Sequence, residues 1–110
     1  YAAQIAKKEE IRKGKATIRC FLDGEVKEYA VEILEIDKTP NEINKGITLK
    51  VTDSELLEKT GGIVQGMSGS PILQDGKLVG AVTHVFVNNS TKGYGIFAET
   101  MLKEAEKCNM

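Results

Sequence analysis

A chain of 110 residues with 15 Lys and Arg against 16 Asp and Glu, net charge −1, has the length of one domain. It carries no basic stripe or charge block for nucleic acid or an anionic membrane, no apolar run near the roughly 18 residues of a membrane span, and no opening signal peptide. Trp is absent and aromatic residues make up 5%, so the core must rest on Ile, Val and Leu.

The start in mid-pattern, Tyr1-Ala2-Ala3-Gln4-Ile5, reads as the beginning of a piece of something longer. Residues 1–13 read as a short helix, with Ile5, Ala2 and Ala6 inward, Lys7, Lys8, Glu9 and Glu10 outward, and Gly14 closing it. Lys15 to Phe21 is a strand, Asp23-Gly24 a hairpin turn, and Val26 to Ile36 its partner, with Tyr29, Val31 and Ile33 alternating onto one buried face. Thr39-Pro40-Asn41 breaks the pattern into a loop. Gly46 to Val51 is a further strand that buries Ile47, Leu49 and Val51. Thr52 and Glu55 have capping-box spacing for a helix through Lys59, which Thr60-Gly61-Gly62 ends.

Past a glycine- and serine-rich stretch, Ile72-Leu73 reads as a short strand and Asp75-Gly76 as a two-residue hairpin turn. Leu78 to Val87 returns as a long β-branched strand. A polar loop, Asn88 to Lys92, leads to a strand over Gly93 to Ala98 and a terminal helix from Glu99 to Cys108. Six to eight short strands with two or three small helices indicate a β-barrel or sandwich with helical trim.

The two cysteines decide little. Cys20 lies in the alternating strand Thr17 to Phe21 and is expected as an inert buried thiol; a bridge to Cys108 is the alternative that spacing leaves open. Neither has a CxxC partner or a histidine cluster, so no zinc site and no cofactor is expected.

The chemistry concentrates in Gly66-Met67-Ser68-Gly69-Ser70-Pro71. A nucleophilic serine needs a tight bend before it, which Gly66 permits. The N–H groups of Gly66 and Ser68 can then converge where the oxyanion of a tetrahedral intermediate would sit. The competing explanation is an ordinary Gly/Ser turn. Nucleophile turn, hairpin, strand, glycine-flanked strand and terminal helix also follow the order of the C-terminal barrel of chymotrypsin-like proteases. Gly61 to Pro71, with Gly80-Ala81-Val82-Thr83-His84-Val85-Phe86-Val87 and Gly93-Tyr94-Gly95-Ile96-Phe97, resembles the stage IV sporulation protein B family of serine peptidases. The resemblance runs from about Lys15 onward and is dense from Val51 to Leu102.

That resemblance implies a mainly β fold, a chymotrypsin-like C-terminal β-barrel that is half of a two-barrel protease, with residues 1–110 as a single domain. It implies Ser68 as nucleophile, Ser70 as structural, and Gly66 and Ser68 as oxyanion donors. It places the triad acid at Asp53, which a helix-capping role explains equally well. His84 is the one histidine of the chain. Thr83-His84 falls on the strand that binds the substrate backbone, so the base is expected in a first barrel upstream of Tyr1. Gly62 would floor an uncharged specificity pocket, and Met67 stands where trypsin-like zymogens place an aspartate. Gly93 and Gly95 would leave a pocket wall open to a peptide strand, shaped by Tyr94 or Phe97. A bulge and a turn explain these two glycines equally well.

The implied partners are a protein or peptide substrate, an upstream peptidase half and a PDZ module, with no nucleic acid. The implied setting is extracytoplasmic and membrane-associated, between mother cell and forespore. There the parent would cleave itself and a regulator of an intramembrane metalloprotease. The fragment alone is expected to be nearly inactive, and to self-associate or rearrange its N-terminal segment. The rival reading is a non-catalytic β-domain that presents a peptide groove. A purely structural β-domain is a third, while an α/β-hydrolase is excluded because a proline and a strand, not a helix, follow the serine.

Overall fold

Apolar side chains at every second position bury one face of a strand only if a second layer covers it. In the computed structural model, which describes residues 4–22, 24–39, 41–63, 67–86 and 88–108, that layer is the sheet itself, closed on its own edge. Strands β2 (Gly14–Leu22) and β3 (Glu25–Ile36) form a long antiparallel hairpin in the register Leu22↔Glu25 to Gly14↔Ile33. Strand β4 (Ile47–Val51) pairs on the other side of β3. A second antiparallel meander follows: β5 (Pro71–Gln74), β6 (Lys77–Phe86) and β7 (Asn89–Phe97). The pairs β2–β5 and β4–β7 join the two meanders into a closed six-stranded barrel of order β6-β5-β2-β3-β4-β7, with β7 returning to β6.

The alternation read from the sequence lands where expected. Tyr29, Val31 and Ile33 of β3 and Ile47, Leu49 and Val51 of β4 are buried, and Ile18, Leu56 and Ile72 complete the centre. Asp75 and Gly76 both take positive φ in the β5–β6 hairpin, as a type I′ turn requires. Asp23 lies outside the described residues, and Gly24 after it has φ +83°. The long connection from β4 to β5 holds helix α1 (Ser54–Thr60) and the Ser68 turn; helix α2 (Ala98–Cys108) follows β7. No described helix is long and apolar enough to cross a membrane.

Three local expectations are corrected. Residues 4–11 are not helical: β1 (Gln4–Ile5) pairs in parallel with Lys77 and Leu78 of β6, and a 3-10 turn occupies Lys8–Glu10. Ile5 faces out at 37% exposure, while Ala6 and Ile11 are buried; Ala2 lies outside the described residues. An isolated helix this short is marginal in water. The start of β6, beyond the reach of β7, offers backbone bonds instead, including Ala6 N–H to the Leu78 carbonyl at 2.9 Å. Asn89 to Lys92 is strand, not loop, since Phe86 pairs with Asn89 and Lys50 with Lys92. The cap of α1 is Asp53, one residue later than the Thr52 box.

Gln74 fastens the N-terminal segment to the barrel. Its side-chain oxygen accepts the Arg12 N–H at 3.0 Å, and its amide nitrogen donates to the carbonyls of Arg12 at 2.8 Å and Lys15 at 3.0 Å. Gln74 is 9% exposed, so these backbone groups have little access to water as a substitute. Gln74→Ala is expected to cost about 2 kcal/mol in urea unfolding and to raise amide exchange at Arg12, whose N–H it leaves without its acceptor. Unchanged exchange there would show that the clamp is not what holds the segment.

Candidate active site

Ser68 occupies the second position of a four-residue turn. Ser70 N–H donates to the Met67 carbonyl at 3.0 Å, and Gly69 takes φ +91°. That is a type II arrangement, whose third position requires a positive φ and so favours glycine. Two bonds then stitch the turn to β6: Gly69 N–H to the Val82 carbonyl at 2.7 Å and Val82 N–H to the Ser70 carbonyl at 3.0 Å. The Met67 side chain is buried in the core and anchors the turn from below, a role in which a carboxylate would be costly. Ser70 accepts from the Cys20 thiol at 3.6 Å, which gives it a structural task. Cys20 is a free thiol, not a disulfide partner of Cys108, and burial pushes its pKa up, the opposite of what a reactive thiolate needs.

The turn leaves Ser68 exposed, its hydroxyl donating to the Thr83 carbonyl at 3.3 Å. Thr83 is the extra residue of a β-bulge, because Val82 pairs with Gly95 and His84 with Tyr94. The bulge turns the Thr83 carbonyl toward the serine. Strand β5 ends its pairing at Pro71↔Ala81, and beyond Val82 this edge of β6 lies beside the Ser68 turn. His84 is exposed on the same strand but does not take the Ser68 hydroxyl. Gly66, the other expected oxyanion donor, lies outside the described residues. Among the described residues no carbonyl receives the Ser68 N–H.

Asp53 has both carboxylate oxygens at work. One accepts from Glu55 N–H at 3.0 Å and Leu56 N–H at 3.3 Å at the start of α1; the other accepts from Ala30 N–H of β3 at 3.0 Å. The Ala30 bond leads the causes that hold this carboxyl below its ordinary range. An ionised carboxylate has about four acceptor sites, so one remains for a further donor.

The glycines have packing reasons. Gly61 caps α1 in the left-handed conformation, and a Cβ on Gly62 would run into the Ser90 carbonyl, which already accepts the Ile63 N–H at 2.7 Å. Gly93 and Gly95 lie mid-strand and face the barrel interior, neither in a turn nor on an open groove wall. A Cβ would come within 2.7 Å of Ile63 Cδ1 at Gly93 and within 2.8 Å of Ile72 Cδ1 at Gly95. Phe97 points into the core with them, while Tyr94 lies on the outer face, stacked on Phe86 at 4.7 Å between ring centroids. Phe86 and the nearby Lys45 were not singled out in the sequence, because only the β6–β7 register and the fold of the β3–β4 connection bring them to this strand.

Two three-stranded antiparallel meanders closed into a barrel, with a serine turn stitched to the sixth strand, define the C-terminal barrel of a chymotrypsin-like protease fold. The family model of SpoIVB peptidase S55 matches residues 1–102, and the chain belongs to that family. No curated protein matches it. Among solved structures, Rv3671c from M. tuberculosis H37Rv, a serine-to-alanine mutant in its inactive form, is similar in fold at 15% identity and TM-score 0.60. The match covers 97% of this chain and 51% of that one, so the chain spans about half the length of this structural relative.

The cap gives Asp53 a measurable pH signature. Its folded pKa is lowered, so its contribution to stability is full above the unfolded value near ~4 and is lost as pH falls through the folded value. Asp53→Ala is expected to cost about 1–2 kcal/mol at neutral pH. Asp53→Asn, which can still cap, should lose less and flatten the acid-side decline in urea midpoints; an unaltered decline would exclude Asp53 as its source.

Proposed function

We propose that this chain carries the nucleophile-bearing half of a serine endopeptidase. The observation that carries the reading is the exposed Ser68 hydroxyl, held by a glycine turn at the bulged edge of β6, in a barrel of the SpoIVB peptidase family. A peptide adds to that edge as an antiparallel strand, its N–H taking the Thr83 carbonyl in place of the Ser68 hydroxyl. The freed hydroxyl gives its proton to a base and attacks the peptide carbonyl; the oxyanion settles on the Ser68 and Gly66 N–H groups. The base is supplied from outside these residues, since the Ser68 hydroxyl donates to a carbonyl and not to His84. The unused acceptor site of Asp53 is available to orient an imidazole from the missing half, so capping and catalysis are compatible roles. The sequence position expected to floor the specificity pocket holds Gly62 and no charged side chain, which supports an uncharged residue next to the cleaved bond.

The family also supports a wider reading. The parent acts in the extracytoplasmic space between mother cell and forespore, with an upstream peptidase half and a PDZ module. There it cleaves itself and a regulator of an intramembrane metalloprotease. The exposed cross-strand pair Phe21 (69%) and Val26 (60%) offers the upstream half, or a second copy of the chain, an apolar contact near the Ser68 turn.

One specific observation favours the rival, a peptide-binding domain without catalysis: the serine rests on a backbone carbonyl with no base at hand. Fluorophosphonate labelling separates the two. Labelling of Ser68 is expected to be at least about 10³-fold faster in the full-length protein than in this chain, and absent in Ser68→Ala. Equal, fast labelling of the bare chain would return the base role to His84. No labelling in either form would leave peptide binding as the function.

A further inference from the structure

The outer surface of the barrel carries a row of charges that only the strand register assembles. Lys15 of β2 lies opposite Glu32 of β3, Glu32 opposite Lys50 of β4, and Lys50 opposite Lys92 of β7. Directly opposite residues share a face of the sheet, with Cβ atoms about 4.5–5.5 Å apart. Lys15, Glu32 and Lys50 are exposed and Lys92 is half-buried. The row is therefore basic on balance, in a chain whose net charge is −1.

Lys50 and Lys92 are its unusual members. Like charges directly opposite one another destabilise a sheet. Among the described residues no carboxylate forms an ion pair with either, although Lys13, Lys27, Lys45 and Lys77 each have one. Two positions along the same strands, Thr48 and Tyr94 face each other and bring no charge to offset the pair. Lysine commonly guards an open sheet edge. Here β4 is paired with β3 and β7, and β7 with β4 and β6, so edge protection does not account for either lysine.

We propose that Lys50 and Lys92 together hold a carboxylate from an acidic segment of a partner protein. An ammonium has three donors and a carboxylate about four acceptor sites, so one carboxylate satisfies both lysines. The anion turns a repulsive pair into two attractive ones. Glu32, next in the row, sets the class of partner. A run of phosphates or an anionic bilayer would press negative charge onto Glu32 and onto a chain of net charge −1, whereas one carboxylate need only reach the two lysines. The row crosses β2, β3, β4 and β7, while the serine turn is stitched to β6, so the site stands independently of the Ser68 chemistry.

The test is an NMR titration of this chain, at low salt, with acetyl-Ala-Ala-Glu-Ala-Ala-amide and its Gln counterpart. The Glu peptide is expected to bind about fivefold more tightly, with its largest shifts at Lys50 and Lys92, and about 1 M salt should abolish the difference. Lys50→Gln combined with Lys92→Gln should remove the preference and raise the urea midpoint, because the repulsion goes with the charges. Lys38→Gln combined with Lys103→Gln removes the same net charge from exposed positions outside the row and should leave the preference intact. Equal affinities for the two peptides, the same loss in both double variants, or a lowered urea midpoint in the Lys50 and Lys92 variant overturns the proposal. Binding of phosphatidylserine vesicles through these lysines without a Glu preference overturns it as well.

Discussion

The barrel exists because two backbones approach more closely than side chains allow. Where β7 returns to β6, a Cβ on Gly80 would strike the Ile96 carbonyl, and one on Gly95 would come within 2.9 Å of the Ala81 carbonyl. Without that seam the six strands would form an open sheet with two unpaired edges and one apolar face in water. With it, Ile18, Ile33, Ile47, Leu49 and Ile72 are wholly enclosed. The seam also fixes the site. The bulge at Thr83 falls where β6 stops following β7 residue for residue, and that irregularity turns a carbonyl outward to the serine.

The same seam divides the labour within Gly93-Tyr94-Gly95. The two glycines face inward and yield space to Ile63 and Ile72; the tyrosine between them faces out with Phe86 and under Lys45. One strand thereby completes the core and, at the residue between the two glycines, sets an aromatic ring on the outer face. Asp53 ties α1 to β3 through three backbone N–H groups. The long excursion that carries Ser68 thus leaves the barrel from a fixed point.

Much of this was legible in the sequence, for a physical reason. Strands with period-two alternation, such as Tyr29-Val31-Ile33 and Ile47-Leu49-Val51, announce themselves locally, as do the Asp75-Gly76 turn and the Gly61 cap. The Ser68 turn was legible because glycine positions are chemically demanding. What escaped depends on partners distant in the chain. Gln4 and Ile5 become a strand only because the start of β6 is free to pair with them. Asn89 to Lys92 look like a loop by composition, yet extend because Phe86 and Lys50 pair with them across the sheet. Thr52 and Asp53 are both acceptable caps; the Ala30 N–H, twenty-three residues away, gives Asp53 the additional bond. The meeting of Lys45 with Tyr94 belongs to the same class, a contact between residues that no local pattern relates.

The Gln74 clamp carries a mechanical consequence. Gln74 ends the four-residue strand β5, and that strand begins three positions after Ser68. Its amide grips Arg12 and Lys15, the stretch through which any upstream polypeptide is attached. A displacement of Arg12 to Lys15 is therefore delivered along β5 to the base of the serine loop. It does not dissipate in slack chain.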